Sequence, residues 1–364
     1  MTQAALVTYA ERAVAPLDRV RRRWFSLALR SPTITGVLAR RERRIAAFAS
    51  LNVLVGLAAA LYFPVLLFVL GPILLGVVHV AADVRYLVLR RSLARFWQHA
   101  IWIGCAALVA LRVIEELHWV KDTARAETAV AAAFVLTGIG AAVQGGGSWK
   151  RALGSGAVLC AAALAAFYRP AGSRLVFLHA HNVIALVLWV YLYARRRSVL
   201  VPLVLVAVGA GVLASGVLYR VTLDSAGAQA FHLHVFTIAD WIAPFARADL
   251  AVGMVVAYVF LQSVHYGVWL RFVPQEELTG QGTLTFRMSA RSLFRDLGVP
   301  GVAAVAIAAL AVIGGACIDV HGARSLYLSL AMFHGYLELA LLAFFFVGRG
   351  GLRSTEPRAQ ERRA

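Results

Sequence analysis

Cysteine and acidic residues are scarce in this chain. Three of its 364 residues are cysteine and 18 are aspartate or glutamate, against 36 lysines and arginines. Cys105, Cys160 and Cys317 lie singly in apolar stretches and form no Cys-x-x-Cys pair. This spacing argues against a disulfide framework and against a thiolate metal site. The N-terminus has no apolar core followed by a cleavage site, so we do not expect a signal peptide.

Charge of either sign is also sparse. Charged residues make up 15% of the chain and hydrophobic residues 61%, whereas soluble domains have about 25% charged and about 45–50% apolar residues. This composition excludes a soluble, disordered or fibrous protein. Apolar segments approach the length of about 20 residues that a bilayer span needs, and they must be helical because backbone groups in hydrocarbon bond internally. The ten predicted spans are roughly residues 45–63, 64–86, 97–114, 129–144, 152–168, 175–193, 199–218, 250–270, 298–318 and 326–347.

The fold class predicted is therefore an all-α polytopic membrane protein. Within the apolar run from residue 45 to residue 82, the turn between the first two spans falls either at Pro64 or at Gly71-Pro72. Arginine-rich loops alternate with loops that are poor or mixed in charge. By the positive-inside rule, this alternation predicts that both termini are cytoplasmic and supports an even number of spans. The predicted location is a bacterial inner membrane.

The basic excess has a topological explanation. A net charge of +18 suggests nucleic-acid binding in a soluble protein. Here the arginines follow the predicted cytoplasmic loops and form no patch with aromatic residues, so anionic lipid headgroups are the expected partner and nucleic acid is not.

We divide the chain into a basic cytoplasmic segment, a transmembrane bundle and a basic cytoplasmic tail, over residues 1–44, 45–347 and 348–364. Residues 14–38 suit either an interfacial amphipathic helix or an ordinary basic extension.

Two predicted loops are long. The inner loop, residues 271–297, is polar and basic, and the outer loop, residues 220–249, contains an apolar stretch over residues 231–245. That stretch suits a segment that lies at the membrane interface or re-enters the bilayer. His232 and His234 share one face if the stretch is extended. They either cap the outer mouth of a site or face solvent.

Two pairs of ionisable residues fall inside predicted spans, where such side chains are costly and need a reason. His79 and Asp83 lie four residues apart and so share one helix face, and His334 and Glu338 repeat this spacing in the last span. Each pair can bind a metal jointly, or the carboxylate can orient a ligating imidazole. The alternatives are an ion pair between Asp83 and Arg85 and, for His334 and Glu338, hydrogen bonds that hold the bundle together.

Three further histidines lie inside predicted spans. His179 and His181 point about 200° apart on a regular helix, so one helix cannot aim both at one ion without distortion. His265, followed by Tyr266, Trp269 and Arg271, indicates a polar cluster in the interior of the bundle. For each of these histidines, a ligand role and a structural hydrogen bond are equally supported.

Depth in the bilayer limits how many histidines can share a site. With the spans above, His334, His179 and His181 lie roughly 8–12 Å below the outer surface and His265 roughly 24 Å below it. His79 joins the deep or the shallow group according to where its helix begins. We therefore expect a site of three or four histidines. The predicted ligands are His79, His265, His334 and His179 or its close substitute His181, with Asp83, Glu338 and Tyr266 beside them.

Histidines with carboxylates and no thiolates favour iron, zinc, copper or manganese. Iron(II) with open coordination positions supports oxygen chemistry, and zinc supports hydrolysis. Haem held by two histidines needs facing helices with histidines at matching depth. The ligand types leave these alternatives open, with Fe(II) preferred.

The pattern Gly-x-x-His-x-x-x-Asp, formed here by Gly76, His79 and Asp83, resembles a segment of the membrane-embedded β-carotene 15,15′-dioxygenases of the bacterial and archaeal Brp/Blh type. The element from His265 to Arg271 is loosely similar to a later segment of that family. Two valines flank His79 where the family has proline and glycine. The resemblance implies a polytopic fold, non-haem iron held by histidines, and cleavage of a carotenoid to retinal. The His-x-x-x-His and His-x-x-His-His boxes of membrane desaturases are absent.

The leading hypothesis is an iron-dependent membrane oxygenase whose lipophilic substrate enters from the bilayer. A transporter or channel that couples ions or protons to buried histidine and glutamate is the alternative, although the sequence shows no repeat symmetry. A haem-binding electron-transfer protein is the third reading.

Overall fold

The computed structural model describes residues 3–193, 199–277 and 284–348. These residues are almost entirely helical, with one two-stranded antiparallel ladder that pairs β1 with β2. The elements are α1 (Gln3–Ala28), α2 (Pro32–Ala39), α3 (Arg41–Tyr62), α4 (Pro64–Asp83), α5 (Arg95–Glu116), α6 (Ala124–Gln144), α7 (Trp149–Tyr168), α8 (Pro170–Leu192), α9 (Leu200–Ala214), α10 (Tyr219–Leu223), β1 (Gln229–Ala230), β2 (Leu233–His234), α11 (Val235–Ile242), α12 (Ala248–Gly267), α13 (Val273–Glu276), α14 (Phe286–Ile318), α15 (Val320–Ala331) and α16 (Phe333–Val347).

Within these ranges, nine helical segments are long and apolar enough to cross a membrane. The all-α polytopic prediction is therefore confirmed. The predicted span at residues 199–218 forms only the 15-residue helix α9, which at about 22 Å is shorter than a hydrocarbon core of about 30 Å. The count of ten spans and the cytoplasmic termini stay predictions.

Several helices are interrupted rather than regular. The first two spans meet at Pro64, whose fixed φ suits the first helical position, and Pro72 lies inside α4. Beyond α4 the chain continues as a π-helical segment, Val84–Leu89, and α12 continues as another, Val268–Phe272. A kink divides α14 at Gly298, whose φ of 67° is open to glycine.

Helix α12 is the centre of the bundle. In its most apolar stretch 83% of residues are buried, whereas the corresponding stretches of α7 and α14 have none. It packs against α3, α4, α8, α9 and α11. Two apolar clusters meet along it, because Val264 belongs to one cluster and Val268 to the other. The boundary between the two clusters also falls between Ile73 of α4 and Tyr86 of the π-helical segment after it. Polar residues between these positions therefore have a buried apolar cluster on either side.

The close approach of α12 to the end of α9 depends on Gly253. A Cβ there would lie within 3 Å of the Leu213 carbonyl oxygen and of the Gly216 amide. We expect Gly253→Ala to lower the free energy of unfolding by about 1–3 kcal/mol, because backbone atoms cannot yield as side chains do. Gly211 in α9 has no such neighbour within 4 Å, so Gly211→Ala should stabilise slightly. Unfolding by SDS in mixed micelles measures both; equal effects would contradict this packing.

The long loops carry structure of their own. In the outer loop, α11 buries Val235, Ile238 and Ile242 against α12, so part of the apolar stretch 231–245 is core. In the inner loop, helical structure runs on to Glu276, and residues 278–283 lie outside the described residues. The arginines at 195–197 and the tail from residue 349 also lie outside them.

The N-terminal segment is a long helix, α1, that packs along α14. Asp18 accepts hydrogen bonds from the amides of Phe286 and Arg287, at 3.0 and 3.1 Å, and so caps the start of α14. Burial raises the pKa of Asp18, but the two backbone hydrogen bonds, Arg21 and Arg287 outweigh burial and lower it.

We expect Asp18→Ala to cost about 1 kcal/mol at neutral pH through the lost cap. The pKa of Asp18 is lower in the folded state than in the unfolded chain. The carboxylate therefore stabilises the folded state in full above its ordinary titration range, and this contribution is lost as the pH falls through the lowered pKa. Hydrogen exchange at Phe286 and Arg287 should therefore accelerate in the variant at neutral pH and converge with the wild type in acid. Unchanged exchange at neutral pH would refute the capping role. Asp224→Ala is the control, because Asp224 follows α10 in the outer loop, away from α14.

Candidate metal centre

Four histidines from four helices meet inside the bundle. His79 of α4, His265 of α12 and His334 of α16 are buried, and His181 of α8 is nearly so. The ring centroid of His181 lies 4.5 Å from the ring centroids of both His265 and His334. The ring centroids of His79 and His334 are 4.8 Å apart. A single site therefore contains all four imidazoles.

The separation of these histidines into a deep and a shallow group does not hold. The predicted spans begin at residues 175 and 326, whereas α8 begins at Pro170 and the last span begins at Val320. Measured from where each helix begins, the four histidines lie at similar depths. The offsets in residues are 11 for His181 from Pro170, 14 for His334 from Val320, 15 for His79 from Pro64 and 17 for His265 from Ala248.

The ring nitrogens define a point of convergence. His79 Nδ1 faces the Leu75 carbonyl oxygen at 3.4 Å, and His334 Nδ1 donates to the Ala331 carbonyl. A neutral imidazole that donates from Nδ1 has an unprotonated Nε2. Yet the Nε2 atoms of His79 and His334 are 3.1 Å apart, and those of His334 and His181 are 3.0 Å apart. In the first of these contacts, between His79 and His334, two lone pairs face each other and repel, so the arrangement is suited to hold a cation.

The spacing also has the scale of a coordination sphere. Two imidazole nitrogens bound to one ion at about 2.1 Å and at right angles lie about 3.0 Å apart. Two overlapping groups have ligand atoms within 4.8 Å of one another. They are His79, Asp83, His265 and His334, and then His181, His265 and Glu338. His265 belongs to both, and neither of its ring nitrogens has a hydrogen-bond partner in the described part of the chain.

Glu338 is fully buried beside the imidazoles. Its Oε1 accepts a hydrogen bond from Trp269 Nε1 at 2.7 Å and lies 3.9 Å from His265 Nε2. Its Oε2 lies 3.4 Å from His181 Nδ1. No arginine or lysine in the described ranges pairs with it. Glu338 can therefore orient His181 and His265 or bind a cation directly.

Asp83 is the second buried carboxylate. It is fully buried, and neither of its oxygens has a hydrogen-bond partner among the described residues. Arg85 does not pair with it, since the π-helical segment after α4 directs Arg85 to Asp296, at 2.7 Å, and to Ser292. The ion pair between Asp83 and Arg85 is therefore wrong as an interpretation, and Asp83 keeps both oxygens for the histidine cluster.

His179 lies outside the cluster. Its Nε2 is 3.0 Å from the Ile242 carbonyl oxygen at the end of α11, and its ring packs near Tyr258. The helix α8 is regular here, so its two histidines point to opposite sides, as their spacing requires. In the outer loop, His234 accepts from the Phe236 amide as the N-cap of α11, and His232 is exposed.

A cavity of about 60 Å³ lies beside the histidines, between α4, α8, α12 and α15. Tyr266 lines it, and its ring is 4.7 Å from the His79 ring. Tyr327 also lines it, and its buried hydroxyl has no hydrogen-bond partner within the described ranges. The cavity joins an apolar wall to several polar groups, as ligand sites do.

Tyr327 is not among the predicted site residues, and the sequence places Trp269 only in the polar cluster that follows His265. Trp269 lies four residues after His265, and Tyr327 lies seven before His334, spacings that would give each a shared face with a histidine in one regular helix. In the structure, Trp269 lies in the π-helical segment after α12, and Tyr327 lies in α15 whereas His334 lies in α16. The sequence alone does not indicate that the Trp269 indole reaches Glu338, which is on another helix.

No family model, curated protein or solved structure matches this chain. The resemblance to the Brp/Blh-type dioxygenases therefore rests on the two short segments that carry it.

Proposed function

We propose that this protein is a membrane-embedded metalloenzyme, a non-haem iron oxygenase that acts on a lipophilic substrate. The observation that carries the proposal is the convergence of four imidazoles within the bundle, with Nε2 atoms 3.0–3.1 Å apart, next to carboxylates with which no arginine or lysine of the described ranges pairs. His79, His181, His265 and His334 are the proposed ligands. Asp83 and Glu338 are proposed to balance the charge and orient the imidazoles, as outer carboxylates of metal sites commonly do.

The geometry supports a single ion over haem. Imidazole rings only 4.5–4.8 Å apart in adjacent pairs leave no slot for a planar macrocycle between facing histidines, and the adjoining cavity is about 60 Å³. All-histidine ligation with hard carboxylates nearby suits iron(II), and zinc or copper fit the same donors. An iron ion with an open position would supply dioxygen chemistry.

The protein's own residues have separate tasks around such an ion. Leu75 and Ala331 fix the tautomers of His79 and His334 through their carbonyls. Trp269 donates a hydrogen bond to Glu338. The apolar clusters on either side of the site exclude bulk water, which strengthens electrostatic interactions inside it. Tyr266 contributes to the wall against which a substrate would lie.

Cells that accumulate β-carotene provide the test. Expression of the wild-type chain should bleach the pigment and yield shorter polyene aldehydes, and His79→Ala should leave the pigment intact. His179→Ala is the matched control, because His179 lies outside the cluster, and it should bleach as the wild type does. Pigment that is unaffected by a wild-type protein loaded with iron would overturn the carotenoid substrate. Substrate flux into proteoliposomes that depends on Glu338 would favour transport instead.

A further inference from the structure

A second and larger cavity lies on the other side of α8 from the metal centre. It has a volume of about 370 Å³, within the range of small-molecule sites, and is lined by residues of α6, α7, α8 and α16. Alanines from α6 and α7 form much of its wall, including Ala131, Ala132, Ala162 and Ala163. Short side chains leave an elongated apolar space rather than a packed helix interface.

The outer wall of this cavity is a single helix. None of the most apolar stretch of α7 is buried, so α7 has the bundle on one side and the membrane on the other. It contacts α6, α8 and α16, the same helices that line the cavity. Ala162 of α7 both lines the cavity and is exposed, so the cavity lies next to the bilayer at this helix.

One end of the cavity is polar but electrically balanced. Glu127 is buried and bonded by Arg112, by Arg174 at 3.1 Å and by the Tyr336 hydroxyl at 2.8 Å. Arg112 and Arg174 also pair with Glu115. Two arginines thus face two carboxylates, and no net charge is offered to a ligand. This balance favours an uncharged ligand with a hydroxyl or carbonyl end over a fatty acid.

An aromatic pair separates this cavity from the metal centre. Phe177 and Tyr336 stack with centroids 4.4 Å apart and planes inclined by 10°. Phe177 lines both cavities, and its ring centroid is 6.3 Å from that of His181. Gly335 allows this contact, because a Cβ there would lie 3.0 Å from both Phe177 and His181. One aromatic ring thus divides the apolar space from the histidines.

We infer that the α6–α7–α8–α16 cavity binds an uncharged, elongated lipophile taken from the bilayer, and that the Phe177–Tyr336 pair is the gate between it and the histidine cluster. The gate rests on the proposed function, and the binding site does not. The hydrogen bond from Tyr336 to Glu127 holds the gate closed.

Photolabelling of the full chain with hexadecan-1-ol that carries a diazirine in its alkyl chain tests the binding site. Labels that excess unmodified hexadecanol displaces should concentrate on the cavity side of α7, at Leu159, Ala162 and Ala163. Val158 and Leu164, on its exposed side, should carry only label that is not displaced. Displaceable label spread evenly over α7, or none, would overturn the proposal.

Two tryptophan variants sharpen the test. Ala163→Trp fills the cavity and should reduce displaceable labelling at least about fivefold, whereas Ala161→Trp adds the same bulk on the exposed side and should not. Equal labelling of both folded variants would contradict the assignment. If the former fails to fold, the wild-type comparison of hexadecanol with a diazirine-bearing palmitate decides, since only the alcohol should be displaceable.

The gate has its own readout. In Phe177→Ala, displaceable label should also appear in the smaller cavity, at residues such as Leu328. Tyr336→Phe should show part of this effect, because it removes the hydrogen bond from Tyr336 to Glu127. Label that stays on α7 in both variants would refute the gate. Metal content is measured on the same samples. Because labelling of α7 needs no metal, a sample without metal that is still labelled on α7 counts against the proposed metal centre and not against the binding site.

Discussion

Replacing His334 with alanine is expected to abolish stoichiometric metal binding. His334 Nε2 lies 3.1 Å from His79 Nε2 and 3.0 Å from His181 Nε2, so it is the nitrogen common to both close contacts. Its removal leaves the remaining nitrogens without their shared neighbour. Elemental analysis of the purified chain should give about one ion for the wild type and less than about a tenth of that for the variant.

His179→Ala is the matched control. His179 lies in the same helix as His181, two residues earlier, but bonds to the Ile242 carbonyl at the end of α11. This variant should bind metal as the wild type does. Undiminished metal in His334→Ala, or equal loss in both variants, would contradict the assignment of the four histidines.

Glu338→Ala is expected to weaken metal binding by about 10–100-fold, the range for residues that orient ligands. It removes the carboxylate beside His181 and His265 and leaves the buried Trp269 indole without its acceptor. Competition with a chelator of known affinity measures the loss. Glu338→Gln keeps an acceptor for Trp269 and should recover part of it.

Glu116→Gln serves as the control for removal of a carboxylate, because Glu116 is exposed at the end of α5. It should leave the affinity unchanged. If Glu338→Ala binds metal as tightly as the wild type, the carboxylate has no part in the site and its burial serves only the packing of α16.

Much of the centre could be predicted from local spacing. The i, i+4 pairs His79/Asp83 and His334/Glu338 each share a helix face, and the structure brings both faces to one point. Apolar length predicted the helical bundle, and Pro64 was one of the two expected positions for the first turn. These features depend on neighbours within two helical turns.

Features set by distant parts of the chain were not accessible in this way. The choice between His179 and His181 depends on which side of α8 faces α12 and α16, and no local pattern encodes that. The direction of the Arg85 side chain depends on the π-helical segment after α4, whereas the predicted ion pair with Asp83 assumes a regular α-helix. The depths of His181 and His334 depend on helices whose first two turns contain polar residues such as Arg174 and Arg324, which hydropathy excludes from the predicted spans.

We propose that one metal ion is held among the histidines of α4, α8, α12 and α16. The decisive measurement is an anomalous difference map, collected at the iron edge from crystals of the anaerobically purified, iron-loaded chain. A single peak is expected between the Nε2 atoms of His79, His181 and His334. A map with iron elsewhere, or with no peak at this point, would contradict it.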